Sequence, residues 1–233
     1  IGDLMSLIIP ANTLASGGFE VANSCRFNIA SSDNLSRTPS SGSNRKTFTI
    51  SMWVKGTTTT TQTLMSAGET SGAYTFNVQW DSSKLSIIGN ADSSSIMNLK
   101  TTRLFRDFSA WYNFVLAFDT TQGTDTNRVK VYVNGVQETS FSTSTYPSQN
   151  TNIQINNNTP HSFGKSAVNN QFWGGYMAEL ILIDGSALAP TDFGEFDEDS
   201  GIWKPINVSG LTFGTNGFYL DFEDSSALGA DVS

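Results

Sequence analysis

The segment "RVKVYVNGVQETSF" (residues 128–141) decides the fold of this chain. Three valines alternate with polar residues up to Asn134 and Gly135. An Asn-Gly pair between alternating apolar residues predicts a β-hairpin with a two-residue type I′ turn, because both central positions need a positive φ. In this register Val133 faces Val136, and the valines form one buried stripe. An isolated hairpin is only marginally stable in water, so the sequence predicts that it belongs to a larger sheet.

The composition predicts that the rest of the chain is also built from strands and turns. The chain has 233 residues, of which 38% are hydrophobic and only 15% charged, with 16 Phe, 6 Tyr and 5 Trp. A single all-β domain commonly has this length. Period-two alternation appears in residues 47–54 and 73–80, and residues 111–119 carry apolar side chains on both faces, as a strand in the middle of a sandwich does.

Weaker local patterns complete the predicted elements. Residues 152–158, "NIQINNN", indicate a weak strand, and residues 172–183, "FWGGYMAELILI", indicate a long strand in which the Gly174-Gly175 pair predicts a bulge or bend. Residues 188–196 are predicted to form one short helix beginning near Pro190. Residues 216–222 form the last predicted strand.

Charge and cysteine content exclude several classes of protein. The formal net charge is −8, and the thirteen basic residues are scattered, which argues against a nucleic-acid partner. The single cysteine, Cys25, excludes an internal disulfide and is predicted to be a buried free thiol. No apolar run approaches the ~20 residues that a membrane helix needs, so no membrane partner is expected.

Four motifs carry a resemblance to a known family. "FTISMWVKG", "WYNFVLAFD", "VKVYVNGVQ" and "FWGGYMAELILIDGSALAP" stand in the order and spacing of the laminin G-like, concanavalin A-like jelly rolls, over about residues 20–195. The resemblance implies an all-β fold, a two-sheet antiparallel β-sandwich. It divides the chain into an N-terminal extension (1–19), a laminin G-like jelly roll (20–200) and a C-terminal strand and tail (201–233), where the chain is expected to be truncated.

The segments at both ends of the jelly roll resemble bacteriophage structural proteins more narrowly. Residues 26–55 and the stretch from "PTDFGEFDEDSGIWKPI" to "LGAD" are similar to tail-fibre or appendage proteins of marine phages. The resemblance implies a virion component, made in the host cytoplasm and carried on the extracellular particle. Its expected partners are other virion proteins and a host-surface polysaccharide. Because fibre proteins use cyclic symmetry, a homo-oligomer is expected, with a trimer favoured.

A glycan site needs an exposed aromatic ring against a sugar face, with amides beside it that bond hydroxyl groups. Two stretches offer both, "FNVQWDSS" and "NNQFWGG". The predicted glycan-binding residues are Asn77, Gln79, Trp80, Asn170 and Trp173, although a core position for either tryptophan remains open. Trp53 and Trp111 lie in the strongest predicted strands, and both are expected in the core.

The candidates for catalysis and for metal binding are weaker. On a strand, Glu195, Asp197 and Asp199 of "EFDED" line one face, and paired carboxylates are what a glycosidase uses. The motif follows the Leu-Ala-Pro landmark, whereas the family's catalytic strand lies mid-sheet, so an acidic loop is the preferred interpretation. The only histidine, His161, has no nucleophile motif beside it.

No metal ligand set is identified. Many members of the resembled family bind calcium, but Ala178 stands where that family often has Asp. The loop that carries Asp119 and Asp125 has the composition of an ordinary turn. Calcium therefore stays open without assigned ligands.

The sequence thus predicts a non-enzymatic virion module that binds a host-surface glycan or another virion protein. Two alternatives remain open: a glycan-degrading depolymerase that uses Glu195 and Asp197, and a purely architectural decoration protein. A glycan-binding assay separates the binder from the decoration protein, and loss of polysaccharide cleavage in Glu195→Gln identifies the enzyme.

Overall fold

The hairpin predicted from residues 128–141 is present in the computed structural model, which describes residues 19–233. Strands β9 (Val129–Val133) and β10 (Val136–Glu138) pair with Val133 opposite Val136. Asn134 and Gly135 have φ angles of 49° and 77°, as a type I′ turn requires. The valine stripe of β9 is buried, which confirms that the hairpin lies over a core.

The strands form two seven-stranded sheets and one small hairpin. The first sheet contains β1 (Cys25–Phe27), β3 (Thr47–Gly56), β8 (Tyr112–Asp119), β9, β10, β13 (Gly175–Asp184) and β16 (Phe218–Leu220). The second sheet contains β2 (Leu35–Arg37), β4 (Gln62–Gly68), β5 (Thr75–Asp81), β6 (Lys84–Ala91), β7 (Ser94–Thr101), β11 (Phe141–Thr145) and β12 (His161–Phe163). The hairpin pairs β14 (Gly194–Phe196) with β15 (Trp203–Pro205).

The topology is that of an antiparallel sandwich. The first sheet runs β1-β13-β3-β8-β9-β10, with β16 also paired to β13, and the second runs β11-β7-β6-β5-β4-β12-β2. The helical content of residues 19–233 is three short 3₁₀ helices, Ile29–Ser31, Asp125–Asn127 and Pro190–Asp192, none with the length and apolarity to cross a membrane. The predicted all-β, two-sheet antiparallel sandwich is confirmed.

Alternation along each strand places the core between the sheets. Phe48 of β3 stacks on Phe118 of β8 at 4.4 Å between ring centroids, and Phe76 of β5 meets both rings edge-on from the opposite sheet. The outer face of the first sheet is covered as well, because Phe193 and Phe213 of the C-terminal segment pack against it in a second cluster. The first sheet is therefore buried on both faces over much of its area, as residues 111–119 predicted.

Several local predictions were wrong. Residues 146–160 contain no strand, because their backbone bonds serve turns and loop contacts, so the strand predicted at 152–158 is absent. The helix predicted over 188–196 shortens to Pro190–Asp192, and residues 194–196 pair as β14 instead. Strand β7, which the patterns missed, is held between β6 and β11.

The bulge in β13 lies at Glu179 and not at the Gly174-Gly175 pair. The pairing of β13 with β3 shifts register between Ala178 and Ile181, and Glu179 takes a left-handed φ of 47°. Strands β1 and β16 pair with opposite ends of β13, so the bulge falls between them. A bulge of this kind inserts one unpaired residue and turns its side chain out of the regular alternation.

This bulge buries a carboxyl group. Glu179 is 4% exposed, and its Oε2 accepts a hydrogen bond of 2.5 Å from the Tyr219 hydroxyl. Burial raises the pKa of Glu179 to about 7, and the negative charges of Asp221 and Glu223 act in the same direction, although the Tyr219 bond opposes the rise. The buried acid therefore keeps its proton at pH values well above those at which a glutamate usually ionises.

A buried polar junction joins four segments at one end of the sandwich. Asp184, at the end of β13, accepts hydrogen bonds from the Asn44 backbone N–H, the Asn156 side chain and the Asn216 backbone N–H. His161 Nε2 accepts from the Asn156 backbone N–H at 3.1 Å. The junction fixes the loops on either side of the core to the C-terminal segment.

The remaining predictions concern the thiol and the segment boundaries. Cys25 is buried and free, as predicted, and burial raises the pKa of its thiol. The boundary predicted after residue 200 falls between paired strands β14 and β15, and β16 joins the first sheet, so residues 201–233 pack on the same sandwich. The extension predicted at residues 1–19 lies outside the described residues except for Phe19.

Candidate functional site

Two surfaces of the sandwich have the chemistry of a binding site. The first is a set of amide side chains, the amide face, on the outside of the second sheet. Alternation along β5 points Asn77 and Gln79 outward, and Gln79 Nε2 donates to Gln171 Oε1 at 3.2 Å. Gln171 follows the exposed Asn170 in the loop between β12 and β13. Asn77 and Gln79 therefore share one face, beside the loop that carries Asn170.

The two predicted tryptophans are not on that face. Trp80 and Trp173 have no exposed surface, and their ring centroids lie 5.7 Å apart inside the main core. Trp80 follows Gln79, and successive side chains of a strand point to opposite faces, so Trp80 turns inward when Gln79 turns outward. The prediction that Trp80 and Trp173 stack on a sugar was wrong, because neither indole reaches solvent.

The base of the amide face contains a polar atom without a partner. Asn77 is 7% exposed, and its Oδ1 has no hydrogen-bond partner within residues 19–233. The buried Thr63 Oγ1, on the neighbouring strand β4, likewise has none among the described residues. Ser66 Oγ donates to the Lys165 carbonyl oxygen at 2.7 Å and fixes the β12–β13 loop nearby. An unsatisfied buried acceptor is costly, so a donor from water or from a ligand is expected at Asn77.

The second surface is a groove on the outer face of the first sheet, the aromatic groove. Three of its lining residues belong to neighbouring strands or stand directly beside one: Trp53 in β3, Ala178 in β13 and Trp111 just before β8. The remaining lining comes from Pro205 and from the segment before β1, namely Phe19, Val21, Ala22, Asn23 and Ser24. Its volume is about 560 Å³.

The tryptophans of the aromatic groove were predicted in the core. Trp53 is buried, but in a small outer cluster with Ala178 and Trp203 rather than between the sheets. Trp111 is only partly buried, and its ring lies 6.4 Å from that of Tyr176 in an edge-on arrangement. The core prediction for Trp111 was wrong. The position of Trp111 immediately before β8 was the sequence signal for its partial exposure, because a ring at the end of a strand does not lie in the contact between the two sheets.

The carboxylates of the acidic motif share one cation in this structure. Lys204 Nζ lies 3.4 Å from Glu195 Oε1 and 3.1 Å from Asp197 Oδ2, so a single positive charge partly offsets both. Hydrogen bonds from Ser200 and from Lys204 hold the pKa of Asp197 far below its usual range. A glycosidase acid must carry a proton near neutral pH, and Asp197 is arranged to lose it.

His161 has a structural environment. Its Nδ1 lies 2.8 Å from the Thr159 carbonyl oxygen, and its Nε2 accepts a backbone N–H, so both ring nitrogens are occupied. Burial lowers the pKa of His161 to about 4, which keeps the ring neutral.

The acids of the loop that carries Asp119 and Asp125 are engaged in internal hydrogen bonds. Asp119 accepts hydrogen bonds from Thr121 and Gln122, and Asp125 accepts from the Thr126 backbone N–H. Within residues 19–233 there is no group of three or more His, Cys, Asp or Glu side chains arranged to hold a metal ion.

The family follows from a comparison over most of the sandwich. Residues 30–192 match the family model described as the "Concanavalin A-like lectin/glucanases superfamily". The chain belongs to this superfamily. The resemblance to laminin G-like and concanavalin A-like jelly rolls is confirmed at that level. Among curated proteins, no sequence matches this member of the superfamily.

Several solved structures are similar to this chain at low sequence identity. Domains LG4-5 of the mouse laminin alpha1 chain are 11% identical with a TM-score of 0.50, and the match covers 76% of this chain and 44% of the laminin chain. Domain 4 of AbnA, a GH43 extracellular arabinanase from Geobacillus stearothermophilus solved with arabinotriose, is 16% identical with a TM-score of 0.52, covering 75% and 76%. Tailspike protein 2 of bacteriophage CBA120 is 13% identical with a TM-score of 0.49, covering 72% and 26%.

Proposed function

We propose that this chain is a non-catalytic carbohydrate-binding domain and that its amide face contacts the glycan. The observation that carries the proposal is the set of amide side chains on one outer face, where Gln79 pairs with Gln171 beside the exposed Asn170, with the buried Asn77 on the same face. Membership of a lectin and glucanase superfamily supports the same class of ligand.

The chemistry of the amide face suits sugar hydroxyl groups. A carboxamide both donates and accepts hydrogen bonds, and a hydroxyl group does the same, so each sugar hydroxyl can bond two neighbouring amides. The exposed Asn170, on the loop beside Gln79, extends the polar surface beyond the pair that Gln79 forms with Gln171.

A titration with oligosaccharides tests the amide face. We expect the variants Asn77→Ala and Gln79→Ala to weaken binding by about tenfold, the loss of one to two hydrogen bonds to a ligand. The matched control is Asn152→Ala, an exposed asparagine outside both surfaces. Absence of binding at millimolar sugar overturns the proposed function, and unchanged binding in both variants overturns this site.

The depolymerase alternative uses Glu195 and Asp197 and is tested separately. The shared cation Lys204 favours a structural role for this pair. We expect no new reducing ends when the chain is incubated with a host polysaccharide. Reducing ends that appear with the wild type and vanish in Glu195→Gln identify an enzyme and contradict the non-catalytic proposal.

We further infer that the domain works on a virion, as part of a tail fibre or other appendage that meets a host-surface polysaccharide or another virion protein. The support is the resemblance of residues 26–55 and of the C-terminal stretch to phage structural proteins. Labelling of intact particles by an antibody to this domain tests the location. Retention on the particle without any glycan binding favours the purely architectural alternative.

A homotrimer is the proposed assembly, because a fibre is built with cyclic symmetry. Mass measurement in solution tests it directly. A species of three times the 25.2 kDa of one chain is expected, and a monomer at micromolar concentration contradicts the trimer.

A further inference from the structure

The aromatic groove differs from the amide face in place and in composition. It lies on the outer side of the first sheet, whereas the amide face lies on the outer side of the second, so the core separates them. Its volume of about 560 Å³ falls inside the range of roughly 300–1,000 Å³ typical of small-molecule sites. The two surfaces can therefore be occupied at the same time.

The groove presents a partly exposed indole ring. Trp111 is partly exposed, while Trp53, Trp80, Trp173 and Trp203 are all buried. An indole ring has an electron-rich face that packs on the apolar C–H face of a sugar ring. The edge-on contact with Tyr176 limits the orientations open to the Trp111 ring.

Polar groups lie beside this ring. Asn23 and Ser24 line the groove, and both are exposed. Their amide and hydroxyl groups can donate and accept hydrogen bonds with ring hydroxyls. A purely apolar partner would leave these groups unpaired, so the lining favours a ligand that has an apolar face and a hydroxylated edge.

Most of the groove lies outside the part of the chain that matches the superfamily. The match covers residues 30–192, and six of the nine lining residues fall beyond it: Phe19, Val21, Ala22, Asn23, Ser24 and Pro205. The groove is therefore lined mainly by segments outside the part of the chain that matches the superfamily model.

We propose that the aromatic groove is a second carbohydrate site, which binds a short neutral oligosaccharide with one pyranose or furanose ring against Trp111. The inference deepens the proposed carbohydrate-binding function and rests on it for the class of ligand. Sugar hydroxyls bond Asn23 and Ser24, and Trp53 and Pro205 close the sides of the groove. A chain with two such sites binds two oligosaccharides.

Calorimetric titration with arabinotriose, xylotriose, cellotriose and chitotriose tests this proposal. We expect two sugars per chain in the wild type and one per chain in Trp111→Ala. At the groove site, Asn23→Ala is expected to weaken binding by about threefold and Trp111→Ala by about tenfold or more. Asn152→Ala is the matched control for Asn23→Ala, since both asparagines are exposed.

Tryptophan fluorescence gives a second measurement that does not depend on stoichiometry. Because Trp111 is the one tryptophan of five that is not buried, sugar in the groove is expected to shift its emission. The variant Trp111→Phe keeps an aromatic ring for the fold and removes this signal. An emission shift that persists unchanged in Trp111→Phe contradicts the groove site.

The variants of the two surfaces distinguish the failure of each proposal. Binding that is lost in Asn77→Ala but unchanged in Trp111→Ala and Asn23→Ala overturns the groove and leaves the proposed function intact. Binding lost in the groove variants alone supports the groove and overturns the amide face. Absence of binding to every sugar overturns both proposals. If a decaproline peptide binds the groove and none of the sugars does, the assignment of the groove to carbohydrate is overturned.

Discussion

Replacing Glu179 by glutamine should stabilise the protein at alkaline pH and change little at acid pH. The carboxyl group is 4% exposed and its pKa is raised from 4.5 to about 7. Between these two values the folded state holds a proton that the unfolded state has released, so the stability of the wild type falls as the pH rises through this window. Glutamine resembles the protonated acid in shape and never ionises.

The size of the expected stability difference follows from the pKa shift of Glu179. A difference of about 2.5 pKa units corresponds to about 3 kcal/mol, at 1.36 kcal/mol per unit. The stability difference between Glu179→Gln and the wild type should therefore rise by about 3 kcal/mol from pH 4.5 to pH 8. The amide oxygen of the variant can still accept a hydrogen bond from the Tyr219 hydroxyl.

Urea unfolding of both proteins across this pH range measures the effect. Only the difference between the two curves counts, because the titration of His161 and of exposed groups is common to both. The control is Glu198→Gln, a charge-removing change at an exposed acid on the turn between β14 and β15. Parallel curves for Glu179→Gln and the wild type would refute the reasoning.

Three further predictions concern stability. Relative to His161→Gln, the wild type should lose up to about 3 kcal/mol of unfolding free energy as the pH falls from 6.5 to 4, since the neutral buried ring of His161 must stay unprotonated in the fold; parallel urea-unfolding stabilities of the two proteins over this range would contradict it. Asp184→Ala should cost about 3 kcal/mol of unfolding free energy by leaving three donors of the polar junction unpaired, and a cost below 1 kcal/mol would contradict the role given to the junction. Gly135→Ala should lower the melting temperature, at a cost above about 1 kcal/mol, because φ is 77° and the new methyl group would lie 2.4 Å from the Trp203 ring; an unchanged melting temperature would show that the turn relaxes.

Alternation and turn chemistry predicted the main strands and the hairpin, and the resemblance to a known family implied the two-sheet sandwich. The Asn134-Gly135 turn and the valines of β9 depend on neighbours two or three residues away, so a local pattern contains all the information that they need. No local pattern contains the information needed to predict the bulge at Glu179. It arises where β1 and β16 pair with opposite ends of β13, and those strands lie about 150 and 40 residues away along the chain. The same limit explains the missed β7, whose place is set by β6 and β11.

The same limit of local patterns explains why only part of the candidate site was predicted. Asn77 and Gln79 follow the alternation of β5, and the sequence placed them opposite Trp80 on that strand. The choice of Trp80 as a ligand residue ignored this alternation. The groove at Trp111 was missed because most of its lining comes from the segment before β1 and from Pro205, which lie far from Trp111 in the chain. Local periodicity shows which face a side chain takes, but not whether a distant segment covers that face.

The state of Cys25 has a practical consequence for protein chemistry. It is the only thiol in the chain, and burial both shields it and raises its pKa, so maleimide reagents should leave the native protein unmodified at neutral pH. A cysteine introduced at a chosen surface position, such as Asn152→Cys, would then be the sole point of attachment for a dye, a spin label or a solid support. The two proposed sugar sites can thus be followed one at a time by probes placed beside each, without first removing a native cysteine.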